Sequence, residues 1–181
     1  MGVAIGLLEV KSLARSFRVA DSCLKAAPVS LQLRTTCPGK ALLIISGEIS
    51  AVQSAVEHGH LEGSTAVINS LVLGNLHQDV LPALAGIAPI KDQEALGIIE
   101  TFSVSGAILA ADAATKASQV YLFDVRPAQG LGGKGLVLFT GSVGAVQVAV
   151  AAATRYLDEM GDLVDAVVIP SPHQDLWVQL G

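Results

Sequence analysis

The stretch AIGLLEV at 4–10 is an apolar run closed by charge, and it predicts a buried strand. From Ser12 to Ala27, the residues Phe17, Ala20, Leu24 and Ala27 recur at helical spacing, with Ser12 as a candidate N-cap. Val29, Leu31 and Leu33 then alternate with Ser30, Gln32 and Arg34, which predicts a half-buried strand. The run ALLIISG at 41–47 is the next strand, closed by Gly47. A second helix is expected over 50–58, opening at Ser50 and carrying Val52, Ala55 and Val56. The stretch AVINSLVLGN at 66–75 is the last strand. The order is β-α-β-β-α-β, the split βαβ arrangement of ferredoxin-like folds.

The same pattern is then written a second time. AIGLLEV at 4–10 returns as ALGIIET at 95–101, and Ala20-Asp21 with Lys25 returns as Ala111-Asp112 with Lys116. Gly39-Lys40 returns as Gly133-Lys134, GEISAVQSAV at 47–56 as GSVGAVQVAV at 141–150, and His-Gln-Asp at 77–79 as the same triplet at 173–175. The order never changes, so the chain is a tandem duplication of a unit of roughly 85 residues. Gly and Pro in LAGIAPIKDQE, around 84–94, mark the linker and divide the chain into domains at 1–88 and 93–181. The stretch YLFDV alternates less cleanly than its counterpart in the first copy.

Composition sharpens this picture at several points. Apolar residues make up 51% of the chain and aromatics only 4%, so the core is aliphatic. A unit of this size buries a modest fraction of its surface. The surplus apolar surface therefore points to domain-on-domain packing and a closed oligomer. A net charge of −5, without a Lys or Arg cluster, argues against a nucleic-acid partner. Apolar runs are strand-length, far below the about 20 residues of a spanning helix, so no membrane segment is expected. The start MGVAIGLLEVK lacks the features of a secretory signal, and Gly6 stands where a myristoylation motif has Ser or Thr. The expected location is cytoplasmic.

Candidate chemistry is sparse. Of the two cysteines, Cys23 falls beside the apolar stripe of the first helix and reads as a buried, inert thiol, with Ala114 as its counterpart. Cys37 stands before Pro38 and Gly39 in TTCPGK, so it belongs to a loop between two strands, where a thiol is accessible. A lone Cys without a C-x-x-C partner is weak evidence for metal, and its plain reading is a small loop residue. His58 and His60 follow the second helix, lack a matching Cys or carboxylate, and read as a solvated helix end. His77 and His173 repeat with their Gln-Asp and suit the start of a terminal helix, where Asp favours the helix N-terminus. AQGLGGKG at 128–135 fails as a phosphate loop because Ala128 replaces the first Gly and Gly135 follows the Lys. It reads instead as a glycine-rich turn whose free N–H groups can attract anions. Glu9 and Glu100 repeat, but each closes a first strand, and no catalytic constellation emerges. The chain reads as non-enzymatic.

The residues AIGLLEV, ADSCLKAAPV, GK, GEISAVQSAVEHG and their second copies, ending in IPSPHQD at 169–175, resemble the bacterial microcompartment shell domain. The resemblance covers almost the whole chain, twice and unpermuted. The tandem arrangement with Cys-Pro-Gly-Lys resembles the trimeric, tandem-domain branch associated with propanediol utilisation. It implies an α+β fold of two ferredoxin-like shell domains, three chains forming a pseudohexameric tile. It further implies a pore lined by Thr36, Cys37, Pro38, Gly39 and Lys40 of the first copy and Gly130, Leu131, Gly132 and Gly133 of the second. In that branch the three cysteines hold a [4Fe–4S] cluster, a role that falls here on Cys37, while Leu131 occupies the equivalent place in the second copy. Only three thiols would then face the axis, so the fourth iron would need a ligand from outside the protein. A structural zinc is a lesser alternative.

The resemblance also places Lys25, Lys116, His77 and His173 at tile edges, against the plain reading of solvated helix ends. Ser171 and the first-copy GNLH depart from the family's Arg between prolines, which unsettles that edge contact. The implied partners are two further copies of the chain, neighbouring hexameric shell proteins and an encapsulated redox enzyme. Three rivals stand beside this reading: a metal-free metabolite pore, a non-tiling ferredoxin-like ligand-binding regulator, and an unrecognised enzyme, which would need activity where no acid–base constellation is visible.

Overall fold

A computed structural model describes residues 4–36, 39–128 and 130–180. The chain separates into two compact units, Met1–Leu76 and His77–Gly181. Unit one runs β1 (Ala4–Val10), α1 (Leu13–Ala26), β2 (Ser30–Thr36), β3 (Lys40–Gly47), α2 (Ile49–Gly63) and β4 (Val67–Leu73). Unit two opens with the short helix α3 (Val80–Leu84) and repeats the order as β5 (Ala95–Thr101), α4 (Val104–Ala117), β6 (Tyr121–Pro127), β7 (Gly135–Gly141), α5 (Val143–Met160) and β8 (Leu163–Ile169). It closes with α6 (Gln174–Leu180). The sheet orders β2-β3-β1-β4 and β6-β7-β5-β8 are the same. All pairs are antiparallel, as the predicted βαββαβ order requires. Even the irregularity is copied: β1 slips register against β4 between Glu9 and Val10, and β5 against β8 between Glu100 and Thr101.

In unit one both helices cover a single face of the sheet. Leu8 and Val10 of β1 and Leu43 and Ile45 of β3 meet Val19 and Cys23 of α1 and Val52, Ala55 and Val56 of α2. Each of the large aliphatics there contributes about 1.5–3 kcal/mol on full burial. Gly59 makes the helix pair close: a Cβ at that position would stand 2.4 Å from Cys23 Sγ and 2.6 Å from a Leu8 methyl. Glycine therefore stays inside α2 rather than ending it. The helix continues to Gly63 instead of stopping at 58, and His58 and His60 lie on it, not beyond it.

The predicted stripe on α1 is only partly the core stripe. The buried residues are Ser16, Val19, Ala20 and Cys23, whereas Phe17 is 65% exposed and Leu24 51% exposed. A 3.6-residue period detects an apolar face without saying what covers it, and α1 carries two such faces side by side.

In unit two, β6 explains its own poor alternation. Leu122 pairs with Phe139 and Asp124 with Leu138, leaving Phe123 as the extra residue of a β-bulge. The bulge lets Leu122 and Phe123 both be buried. Phe123 meets the Trp177 ring of α6 at 6.4 Å between centroids, tilted by 60°. Trp177, Leu176 and Leu180 thereby cover Leu96 and Ile98, the β5 residues that alternate away from Ile99. Residues 77–88, assigned to the first domain from sequence, fall within unit two, where α3 packs on β6 and against α4.

Candidate functional site

The two interstrand loops differ in construction. In unit one the Cα partners Thr36 and Lys40 face each other at the end of the β2–β3 pair. Thr36 is buried, Gly39 is exposed with φ +66°, and Lys40 is half-buried. A positive φ in this range favours glycine, which explains Gly39. Cys37 and Pro38 lie outside the described residues.

In unit two the loop is longer and knit by its own backbone. The Ala128 N–H donates to Lys134 O at 3.0 Å, Leu131 N–H to Ala128 O at 3.3 Å, and Lys134 N–H to Leu131 O at 3.2 Å. Gly130, Gly132 and Gly133 take φ of +72°, +63° and +97°. Gly130 and Gly132 are exposed, Leu131 is half-buried and Gly133 is buried. The expected set of free N–H donors is therefore reduced, because turn closure uses three of them. Lys134 Nζ is also engaged, 3.0 Å from Glu100 Oε1, a tie between loop and β5 that the sequence reading passed over. The repeat of Glu9 and Glu100 beside the repeated Gly-Lys was the available signal.

Cys23 is fully buried, and burial pushes its thiol up to about 11, against weaker lowering by backbone hydrogen bonds. It stays protonated at neutral pH, as a thiol in apolar surroundings does. Among the described residues, no group of three or more His, Cys, Asp and Glu converges as a metal site. His58 and His60 are exposed, and His58 Nδ1 stands 2.9 Å from Ser54 O along its own helix.

The expected edge residues come in two matched sets. Lys25 Nζ meets Asp21 Oδ2 at 2.6 Å, and Lys116 Nζ meets Asp112 Oδ2 at the same distance. His77 and His173 each cap the turn that follows: the Asp79 N–H reaches His77 Nδ1 at 3.3 Å, and the Asp175 N–H reaches His173 Nδ1 at 3.2 Å. The imidazole accepts there, a role the sequence reading had given to the Asp charge alone. In unit two the sets join, because the His77 main-chain N–H donates to Asp112 Oδ1 at 2.8 Å. Asp112 is consequently 11% exposed at its side chain, against 61% for Asp21. Beside Asp21 opens a cleft of about 490 Å³, with Arg18, Lys25, His58 and Glu62 on its walls.

The model of the BMC domain, the bacterial microcompartment module, matches residues 4–76 and again 95–172. This chain belongs to the BMC-domain family. The two BMC matches bracket the two sheets described above. The chain is 43% identical over 181 residues to the bacterial microcompartment shell protein PduT of Citrobacter freundii, covering 99% of this chain and 98% of that one. The shell protein PduA of the same organism is 40% identical over 86 residues, 46% of this chain and 88% of its own. Among solved structures, a microcompartment protein from Desulfitobacterium hafniense DCB superposes with a TM-score of 0.92 at 45% identity, covering 98% of this chain and 99% of that one. Among the described residues, no helix of this BMC protein is long and apolar enough to cross a membrane.

Proposed function

We propose that this chain is a structural tile of a bacterial microcompartment shell, a homotrimer in which six BMC domains surround a central pore. The observation that carries the reading is the 43% identity to a shell protein over essentially the full length of both chains, in unbroken domain order. The exposed apolar residues of α1 support an assembled state, since Phe17 and Leu24 have no role in the monomer's core. Hexameric shell proteins are the tile's neighbours in this reading, and an encapsulated redox enzyme is its partner inside.

The finer part of the proposal concerns Cys37. The donor set of one chain is insufficient for a cluster, because Cys23 is a buried, protonated thiol and the described residues hold no convergent ligand group. In this reading three copies contribute one Cys37 thiol each, and Leu131 at the equivalent place in the second copy keeps that number at three. A bound [4Fe–4S] cluster would supply one-electron chemistry or transferable iron at the pore. What the described residues contribute is the Thr36–Lys40 pair across β2 and β3 and the glycine φ of Gly39 beside it.

Anaerobic purification with iron and sulfide supplied, followed by EPR and iron quantitation, tests this directly. About four irons per trimer, lost in Cys37→Ser while the trimer persists, is the expected result. Iron absent from both proteins overturns the cluster and leaves a metal-free metabolite pore. A soluble trimer that never forms flat sheets under the electron microscope overturns the tile.

A further inference from the structure

After α3 the chain turns and builds a pocket against the start of β6. The Ala85 N–H donates to Leu81 O at 3.0 Å and the Ile87 N–H to Pro82 O at 3.1 Å, so the turn leaves α3 in a fixed direction. Farther on, the fully buried Thr140 Oγ1 stands 2.6 Å from Asp92 O and 2.8 Å from Ala95 O, and its one proton serves either. Residues 87–91 are thereby held at both ends, and Pro89 fixes φ between them. The resulting pocket of about 180 Å³ is walled by Asp79, Pro82, Ile87, Pro89, Lys91 and Tyr121. That volume suits a small metabolite, since drug-sized sites begin at about 300 Å³. The aromatic wall is not common to both copies. Tyr121 pairs with Thr140 across β6 and β7, whereas the same positions of β2 and β3 hold Ser30 and Ser46. Every one of these wall residues belongs to unit two, so the site requires no second chain.

The pocket carries one charge of each sign. Lys91 Nζ lies over the Tyr121 ring, 5.8 Å from its centroid, within the about 6 Å reach of a cation–π contact. Among the described residues no carboxylate pairs with it. Asp79 Oδ2 stands 3.8 Å from His77 Nδ1, but that nitrogen already accepts the Asp79 N–H at 3.3 Å and so holds no proton for the carboxylate. A cation and an anion thus line one small pocket without neutralising each other. We propose that this pocket binds a free α-amino acid with an apolar side chain. Its carboxylate meets Lys91 Nζ, its ammonium meets Asp79, and its side chain lies against Pro82, Ile87 and Pro89. A simple carboxylate would face Asp79 with like charge, and a simple amine would face Lys91 in the same way, so both are disfavoured. The Tyr121 ring holds the Lys91 ammonium in advance, which lowers the ordering cost of binding.

The test is saturation-transfer-difference NMR on the full chain with three probes: L-leucine, isovalerate, which lacks the amine, and isoamylamine, which lacks the carboxylate. L-leucine should bind at millimolar concentration, as suits a ligand this small, and each analogue should bind about tenfold more weakly for the loss of one charge-assisted contact. Two variants assign the charges. Lys91→Met should erase the preference for L-leucine over isoamylamine, and Asp79→Asn should erase the preference over isovalerate. Both side chains lie outside the core, so circular dichroism should match the parent in each variant. No L-leucine signal in the parent overturns the site. A signal of equal strength in the parent and both variants puts the ligand elsewhere and overturns it as well. Isovalerate binding as tightly as L-leucine in the parent removes Asp79 from recognition and sinks the amino-acid assignment.

Discussion

Helices α1 and α4 descend from one sequence and now live in different surroundings. On α4 the residues Val104, Ile108, Asp112 and Thr115 are all buried, and the helix shows ten buried positions. Their counterparts Leu13, Phe17, Asp21 and Leu24 on α1 are exposed, and only Ser16, Val19, Ala20 and Cys23 of that helix are buried. Both helices hold the same Asp–Lys pair at 2.6 Å. The difference therefore lies in what covers the helix and not in what the helix is. A large aliphatic or aromatic residue kept at a position that is solvent-exposed in one copy and core in the other points to a cover that the single chain does not supply.

The sharpest way to break this comparison is to truncate the matched apolar pair. Ile108→Ala removes a fully buried side chain and should cost about 3 kcal/mol in urea unfolding, within the usual range for large-to-small core changes. Phe17→Ala touches a residue that is 65% exposed and should leave the fold's stability within about 0.5 kcal/mol. Equal costs in dilute protein would mean that the two faces are equally buried in solution and that the contrast is false.

The matched carboxylates come next. Asp112→Ala strands the His77 N–H and frees Lys116, and should cost about 2 kcal/mol, since an orphaned buried donor loses about 1–3 kcal/mol. Asp21→Ala breaks an exposed pair of the kind that contributes about 0–1 kcal/mol. Any larger penalty for Asp21→Ala should appear only in the concentration dependence of Tm, because an interface contributes by mass action. A concentration-independent penalty equal to that of Asp112→Ala would show that the two pairs are not differently placed.

These contrasts also mark what the sequence carried and what it withheld. Strand order, helix order and the duplication were legible because alternation and repetition are properties of the chain itself. The bulge at Phe123 was visible only as a flaw in alternation, since an inserted residue shifts the register of everything after it. The α1 stripe was mis-phased because Phe17 and Leu24 look like core residues in any periodicity argument. Lys25 and Lys116 were found through repetition together with Asp21 and Asp112, but repetition alone did not show that each Lys pairs with its Asp. The junction at residue 76 was hidden by the Pro and Gly at 82–89, which mimic a linker while α3 packs on β6.

A third asymmetry is chemical. Cys23 on α1 stands where α4 has Ala114, and both are fully buried. Burial raises the thiol from 9.0 to about 11, so the folded state keeps a proton that the unfolded chain releases near pH 9. That contribution is complete below pH 9 and is lost as pH rises through 11. Stability should therefore fall more steeply between those values in the parent than in Cys23→Ala, as read from urea midpoints at each pH. Parallel curves would mean that the thiol is not desolvated.

The smallest effect separates the two helix N-caps. Ser12 Oγ accepts from Arg15 N–H at 3.3 Å, and Ser103 Oγ accepts from Gly106 N–H at 2.9 Å. Ser→Ala at such a position costs about 1 kcal/mol. Ser103 does more, because its hydroxyl also donates to Asp162 Oδ2 at 2.7 Å. Burial holds the Asp162 carboxyl above its ordinary range, and the Ser103 hydrogen bonds pull it back down. Without Ser103 the folded-state value should climb further. A raised carboxylate favours the folded state most where it is protonated, so the penalty of Ser103→Ala should shrink as pH falls through the acid range. The penalty of Ser12→Ala should stay flat over the same range, since its hydroxyl caps the helix on a solvated face. Two parallel pH profiles would reduce Ser103 to an ordinary cap and leave α1 and α4 distinguished only by what covers them.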